Sequence, residues 1–459
     1  MILNRPGIDE EFKLLSINRP GPVTWNYTAE FIVKGATYPF AKVRYVNIKR
    51  DYKDNTCEII MLGVKVDLGT YENLILPNYR NIEVILTRRL VNTTGQEKGS
   101  DPKFFRIYKA FLEISTDTKM TKSQRGAETG VEDSLGSLID LNVQLTDKVA
   151  YEMSLTTASG VVRDTPLKEI IRYYLSYGLN EIEIKKPLLE EEYRLVRGVD
   201  IVPPTNTKDP DFFLIPSAKR PMPITDIPQY LQRTIGVYSA GLGYHFQNGW
   251  WHVYPLFDTK RFDSVKKNLT LLCVPEEELP VSERTYLYRD EQLYVFSTGE
   301  RQTVDVSEEL SHLEGNVVRW WAAGDLLDSM YKVKDNVVTA LNTQTMKSLT
   351  FTKRSDNFNK VSHLPTVFTD NPYAVTTRTL ASQGRYLTTV WANCDQELLY
   401  PGMPSKILYV EKGELIEVMG TLIKADIDIQ PDTTVYNDST FKAVAILTFY
   451  IDKDEKRLD

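Results

Sequence analysis

Four histidines, His245, His252, His312 and His363, are the side chains in this chain best suited to move protons near neutral pH. A Ser-His-acid or Cys-His nucleophilic set needs such a base beside its nucleophile, and none of the four lies in a motif of that kind. His245 and His252 flank Asn248-Gly249, a dipeptide that turns tight hairpins. They can therefore face each other across two strands and share a metal with a carboxylate such as Asp258. The plainer reading, a pair of strand histidines among aromatics, is the one the sequence favours.

Glycoside hydrolysis asks only for two carboxylates roughly 5 to 10 Å apart. With 62 acidic residues the sequence leaves that chemistry open, although the densest cluster, Glu190 to Glu192, reads as a solvated face. Gly241-Leu242-Gly243 follows a helical pattern and precedes a strand, the reverse of a phosphate-binding loop, and reads as a helix stop. There is no GxxxxGK[ST] loop, HExxH helix or GxSxG elbow. Trp250-Trp251 and Trp320-Trp321 could stack on sugars or bases, but adjacent strand residues face opposite ways, so one of each pair belongs to the core. Cys57, Cys273 and Cys394 are far apart, form no CxxC pair and read as reduced, buried thiols. No catalytic, cofactor-binding or metal-binding residue is nominated, no cofactor is expected, and the chain reads as a non-enzyme.

The elements that would carry these residues are mostly strands. Trp25 to Val33, Val43 to Ile48, Ile59 to Val66, Ile82 to Leu90, Phe104 to Ile114 and Leu138 to Tyr151 are β-branched, aromatic or alternating, which favours a barrel or sandwich. The polar stretch Thr116 to Asp133 reads as a surface loop. A helix follows in DTPLKEIIRYYLSYGL, with Asp164 or Thr165 as cap, Gly178 as stop, and Leu167, Ile170, Ile171, Tyr174 and Leu175 on one face. A second runs from Thr225 or Asp226 through Tyr238, burying Ile227, Leu231, Ile235 and Tyr238, and the Asn248-Gly249 hairpin completes an α+β module. Between these helices, Pro203 to Pro223 reads as a surface wrap. Strands return at Tyr286 to Tyr288, Leu293 to Phe296 and Val317 to Trp320. After a weakly periodic stretch over 305–385 they resume at Ile407 to Val410, Leu415 to Ile429 and Phe441 to Ile451.

A chain of 459 residues divides into several cores at about 150 residues per domain. Its 26 Tyr and 17 Phe suit half-buried sheets and large interfaces. A net charge of −7 argues against gripping nucleic acid through phosphates, while an acidic conduit would let a polyanion slide past. No apolar run approaches the ~20 residues of a membrane span, and MILNRPGIDEEF lacks a signal-peptide core, so synthesis and folding in the cytoplasm are expected.

The order of these parts resembles the baseplate hub proteins of contractile-tailed bacteriophages. A β-domain is followed by the TPLKEIIRYYL helix, a proline-rich crossing, the YHFQNGWWHVYPLF hairpin, and a terminal β-domain opening with LLYPGMPSKILYV. The NRPG at Asn4 to Gly7 is similar to the start of some hubs, and Pro401-Gly402-Met403 to the turn that enters the long hairpin of their second tube-like domain. The chain departs from the family in showing no duplicated motif and in its long 116–133 loop.

What the resemblance implies is a β-dominated α+β fold with two tube-like β-barrel domains and an α+β insert. The boundaries expected are 1–157, 158–265, a mixed region 266–385, and 386–459, the last also recruiting strands from 266–300. It further implies a homotrimer joining the tail tube to a trimeric central spike protein, located in the virion at the tail baseplate. Its expected partners are those two, the tape-measure protein and other baseplate proteins, with DNA only in passage. Another tail or baseplate adaptor protein, or a tail-associated cell-wall-degrading enzyme, remains the alternative.

Overall fold

The computed structural model describes residues 3, 5–17, 23–91, 103–112, 138–177, 196–207, 210, 212–215, 222–278, 284–304, 318–323, 341–342, 346–351, 368–369, 373, 385–432, 440–452 and 454–458. The fold is β-dominated with a few helices. The expected loop 116–133, Gly178, Glu190 to Glu192, His312 and His363 lie outside the described residues.

The first strands are β1 (Thr24–Val33), β2 (Ala36–Pro39), β3 (Lys42–Asp51), β4 (Ile59–Asp67), β5 (Glu83–Val91), β6 (Lys103–Leu112) and β7 (Leu138–Asp147). Then come β8 (Gly198–Ile201), β9 (Leu242–Gln247), β10 (Trp250–Pro255), β11 (Asn268–Cys273), β12 (Tyr286–Arg289) and β13 (Gln292–Val304). The last are β14 (Arg385–Ala392), β15 (Pro404–Glu411), β16 (Glu414–Pro431), β17 (Thr440–Ile451) and β18 (Lys456–Leu458). Alternation decides which side chains turn inward. Trp25, Tyr27, Ala29, Phe31 and Val33 are buried along β1, and Phe441, Ala443, Ala445, Leu447 and Phe449 along β17. Burying each large apolar side chain contributes about 1.5–3 kcal/mol, enough over so many positions to fix the register of each strand.

Among the described residues, 15 strands join one sheet whose pairings close on themselves. One closed path runs β16-β3-β4-β7-β6-β5-β1-β17 and back to β16, every step antiparallel. A second runs β16-β17-β14-β13-β11-β15 and back, with β11 parallel to both its neighbours. The two rings share the β16–β17 ladder. β16 can serve both because it is 18 residues long: Glu414 to Thr421 pair with β15, and Lys424 to Ile429 pair with β3. Closure satisfies strand edges that would otherwise be exposed. Side chains from both rings form one continuous apolar core.

The helices pack around this sheet. α1 (Glu10–Ile17) was not visible as periodicity, and it seats Phe12 against Tyr294 and Phe296, ring centroids 5.7 and 5.3 Å away. The expected strand from Leu138 to Tyr151 stops at Asp147, whose side chain accepts a hydrogen bond from the Val149 amide and caps α2 (Lys148–Leu155). Short helical turns over 68–81, also unforeseen, connect β4 to β5.

α3 (Leu167–Tyr177) buries the five residues expected of it, and α4 (Ile227–Thr234) ends before the anticipated Tyr238. Together with β8, β9 and β10 they enclose a second core around Trp251, Tyr238 and Leu231. The proline-rich stretch does more than wrap the surface, since Phe212–Ile215 pairs with Gly160–Arg163 and Met222–Pro223 with Thr157–Ala158.

Candidate functional site

The β9–β10 hairpin turns at Asn248 and Gly249, at φ of 51° and 85°, values that asparagine and glycine adopt at least cost. This sets His245 directly opposite His252. The nearest carboxylate to His252 is that of Asp200, 3.6 Å away, rather than Asp258, and among the described residues no three His, Cys, Asp or Glu side chains are placed to hold an ion. His245 is buried, its Nδ1 lies 2.9 Å from the Asn55 carbonyl, and burial pulls its pKa down to about 4. It is a neutral core histidine at physiological pH. As alternation required, Trp251 is fully buried and Trp250 exposed. The side chains of Trp320 and Trp321, on a strand over Val318–Ala323, lie outside the described residues.

All three cysteines are free and buried, and burial drives their pKa values up, that of Cys273 to about 12. None is poised as a nucleophile.

The chemistry that the structure does concentrate is a buried charged junction at one end of the first ring, where segment 393–403 and the hairpin tip meet the barrel wall. Arg50, at the end of β3, places Nε 3.0 Å from Glu58 and donates through Nη1 to the Gln396 carbonyl at 2.6 Å. Tyr108 donates its hydroxyl to the other Glu58 oxygen at 2.9 Å. Arg88 pairs with Glu397 at 2.8 Å, and Asn248 bridges the two, accepting from Arg88 at 3.0 Å and donating to Glu397 at 2.8 Å. Arg106 donates twice to Asp147. Gln396 donates to the Tyr27 hydroxyl and Gln247 to the Leu399 carbonyl, both within the protein interior.

Three guanidiniums and three carboxylates are thus removed from water together. Burial alone would raise the pKa of Glu58, but the guanidiniums of Arg50 and Arg88 and the Tyr108 hydroxyl outweigh it and hold that carboxyl at about 2. Among cations, Asp395 has only the weaker field of Arg284 to offset its burial. Burial, then the neighbouring Glu397 carboxylate, push it up to about 6. Buried pairs of this kind contribute little net stability over apolar packing, yet losing one partner costs about 3–5 kcal/mol. Chemically, the arrangement can lock three chain segments in one register.

Sequence reasoning did not single out these residues, although a signal existed. Arg50 follows Val46 and Ile48 in phase, Arg88 sits between Leu86 and Leu90, and Arg106 precedes Tyr108 and Ala110. A charged residue at an inward position of an alternating strand is the mark of a buried partner.

The fold has likenesses among solved structures. A chain of the Francisella PdpA-VgrG complex in its lidded form aligns with 98% of this chain at 10% identity, with a TM-score of 0.40. The 43 kDa tail protein of prophage MuSo2 from Shewanella oneidensis aligns over 93% of this chain and 100% of its own, at 9% identity and a TM-score of 0.45. The E. coli c3393 protein, a component of the type VI secretion system, aligns over 96% of this chain and 77% of its own, at 8% identity and a TM-score of 0.36. This chain spans 57% of the length of the PdpA-VgrG complex chain it matches. No family model matches the sequence, and no curated protein matches it.

Proposed function

We propose that this protein is the structural hub of a contractile-tail baseplate, a non-enzymatic part that joins the tail tube to the central spike. The observation that carries the proposal is the pair of closed strand rings sharing β16 and β17, with an α+β module inserted between the strands that build them. Two tube-like rings per chain make six in a trimer. Such an assembly matches a hexameric tube on one side and a trimeric spike on the other. The charged junction suits a load-bearing part, because it ties the first ring, the insert and the 393–403 segment without a mobile linker.

In this reading the trimer lines the channel for DNA and the tape-measure protein, and the excess of acidic over basic residues keeps a passing polyanion from sticking. Its place is the tail baseplate of the virion. Electron microscopy of native particles tests it: threefold density for this chain between tube and spike is expected. Density elsewhere in the baseplate, or contact only with neighbours that lack threefold symmetry, would replace the hub with an adaptor.

A further inference from the structure

A cleft of about 700 Å³ opens between the α+β module and the second ring. Asp200, His252 and Tyr254 line it from the module, Tyr400 and Pro401 from the ring side, and the connecting segment 258–267 closes it. Its charges are unevenly satisfied. Three carboxylates line it beside the cations: Asp200 faces His252 at 3.6 Å, Glu397 is paired with Arg88 at 2.8 Å, and Asp258 accepts from the Lys260 amide at 3.0 Å and acts through space on Arg261. Arg261, Lys266 and Lys267 make no ion-pair contact among the described residues.

Arg261 is 8% exposed, yet its hydrogen-bond partner is the Gly402 carbonyl at 2.6 Å, and its Nε has no hydrogen-bond partner among the described residues. Its guanidinium lies 6.0 Å from the Tyr254 ring centre. Burial lowers its pKa, outweighing the opposing field of Asp258. Lys266 and Lys267 line the same cleft, are exposed, and form no ion pair among the described residues. The Tyr400 hydroxyl donates to the Lys267 carbonyl and so fixes the lysine segment against the ring.

A guanidinium this deeply buried is normally neutralised, and the cleft leaves room for the group that would do so. We propose that the cleft is an oxyanion site that takes a small multiply charged anion, a phosphate or a di- or tricarboxylate, with Arg261 at its base and Lys266 and Lys267 at its rim. A planar guanidinium and two mobile ammonium groups can share four or more anionic oxygens. The bound anion would brace the insert against the second ring.

Titration calorimetry on the full chain, with inorganic phosphate and separately with citrate at constant ionic strength set by sodium chloride, tests the site. Saturable binding of one anion per chain is expected, and binding of phosphate alone or of citrate alone supports the proposal while identifying the class. The double variant K266E/K267E should bind at least about tenfold more weakly. The charge-matched control K13E/K412E, altered at exposed positions away from the cleft, should bind as the parent does. R261K should retain weakened binding and R261M should lose it. If the Arg261 variants do not fold, the lysine pair alone decides. No saturable heat with either anion, or equal loss in the K266E/K267E and K13E/K412E proteins, overturns the proposal.

Discussion

Arg50 and Glu58 meet at 3.0 Å with side chains 0% and 4% exposed, eight residues apart in sequence, Arg50 near the end of β3 and Glu58 just before β4. The pair holds segment 393–403 through the Gln396 carbonyl. Replacing Arg50 with Met leaves the Glu58 carboxylate buried with Tyr108 as its remaining close partner, and replacing Glu58 with Leu strands the guanidinium. Each should lower unfolding stability by about 3–5 kcal/mol, and the double variant should recover much of that loss. Urea unfolding of the four proteins measures the coupling. Additive losses would mean that the two groups act separately.

The same junction sets a pH profile. Glu58, held at about 2, stays ionised in the native state where the unfolded carboxyl would take a proton near ~4.3. Its contribution is present above that pH and is lost as pH falls towards 2. Asp395, raised to about 6, keeps a proton that the unfolded chain has released above ~3.9, so it lowers stability as pH rises through that window. His245, at about 4, refuses the proton that an unfolded imidazole takes below ~6.5, so its effect runs the other way. The two slopes oppose each other, so stability should be nearly flat between about pH 4.5 and 6 and should fall as pH drops below about 4.5, where Glu58 loses its contribution. Asp395→Asn removes one slope. It should stabilise the protein at pH 7, by about 3 kcal/mol at most, with the gain vanishing below about pH 4. Denaturant unfolding at pH 4, 5.5 and 7 checks both statements.

Gly402 occupies a left-handed conformation at φ 65°, and a Cβ built there would lie 2.1 Å from the Tyr254 ring. That ring is fully buried, and its hydroxyl donates to the Tyr52 carbonyl, so it cannot swing away. Gly402→Ala should therefore cost about 3 kcal/mol or more, combining backbone strain with overpacking. Gly413, also at positive φ but with nothing within 4 Å of its Cβ position, should cost about 1 kcal/mol on the same change. Thermal unfolding of the two variants separates conformational strain from collision.

How far the fold was legible follows from these residues. The inward positions of β1, β4 and β17 announce themselves by alternation, because period 2 is a local property of the chain. What alternation does not carry is the partner. Lys424 to Ile429 align with Val46 to Asp51 across nearly the whole sequence, and no local pattern in either strand names the other. Hence two separate β-regions were readable, while the ladder they share was not. The junction escaped for a related reason. Arg88 sits in phase with Leu86 and Leu90, but nothing local names Glu397 as its partner until the hairpin tip and segment 393–403 are brought together. α1 escaped because its eight residues carry one strongly anchored aromatic, Phe12, rather than a full apolar stripe.

Asn248 joins a local role to a distant one. It holds the first left-handed position of the hairpin turn, and its amide bridges Arg88 and Glu397. Two substitutions divide the roles. Asn248→Gly keeps the turn at no backbone cost and deletes the bridge, so its whole effect, expected at about 2–3 kcal/mol for two hydrogen bonds to buried charged groups, measures the tertiary clamp. Asn248→Ala deletes the bridge and adds a side chain that resists positive φ, and should cost about 1 kcal/mol more. If the glycine variant were as stable as the parent, the bridge would be ornamental and the hairpin would be held by its apolar face alone. If the two variants were equal, the turn would tolerate alanine and the clamp would account for the entire loss. Unfolding of both proteins in urea at pH 7 gives the answer.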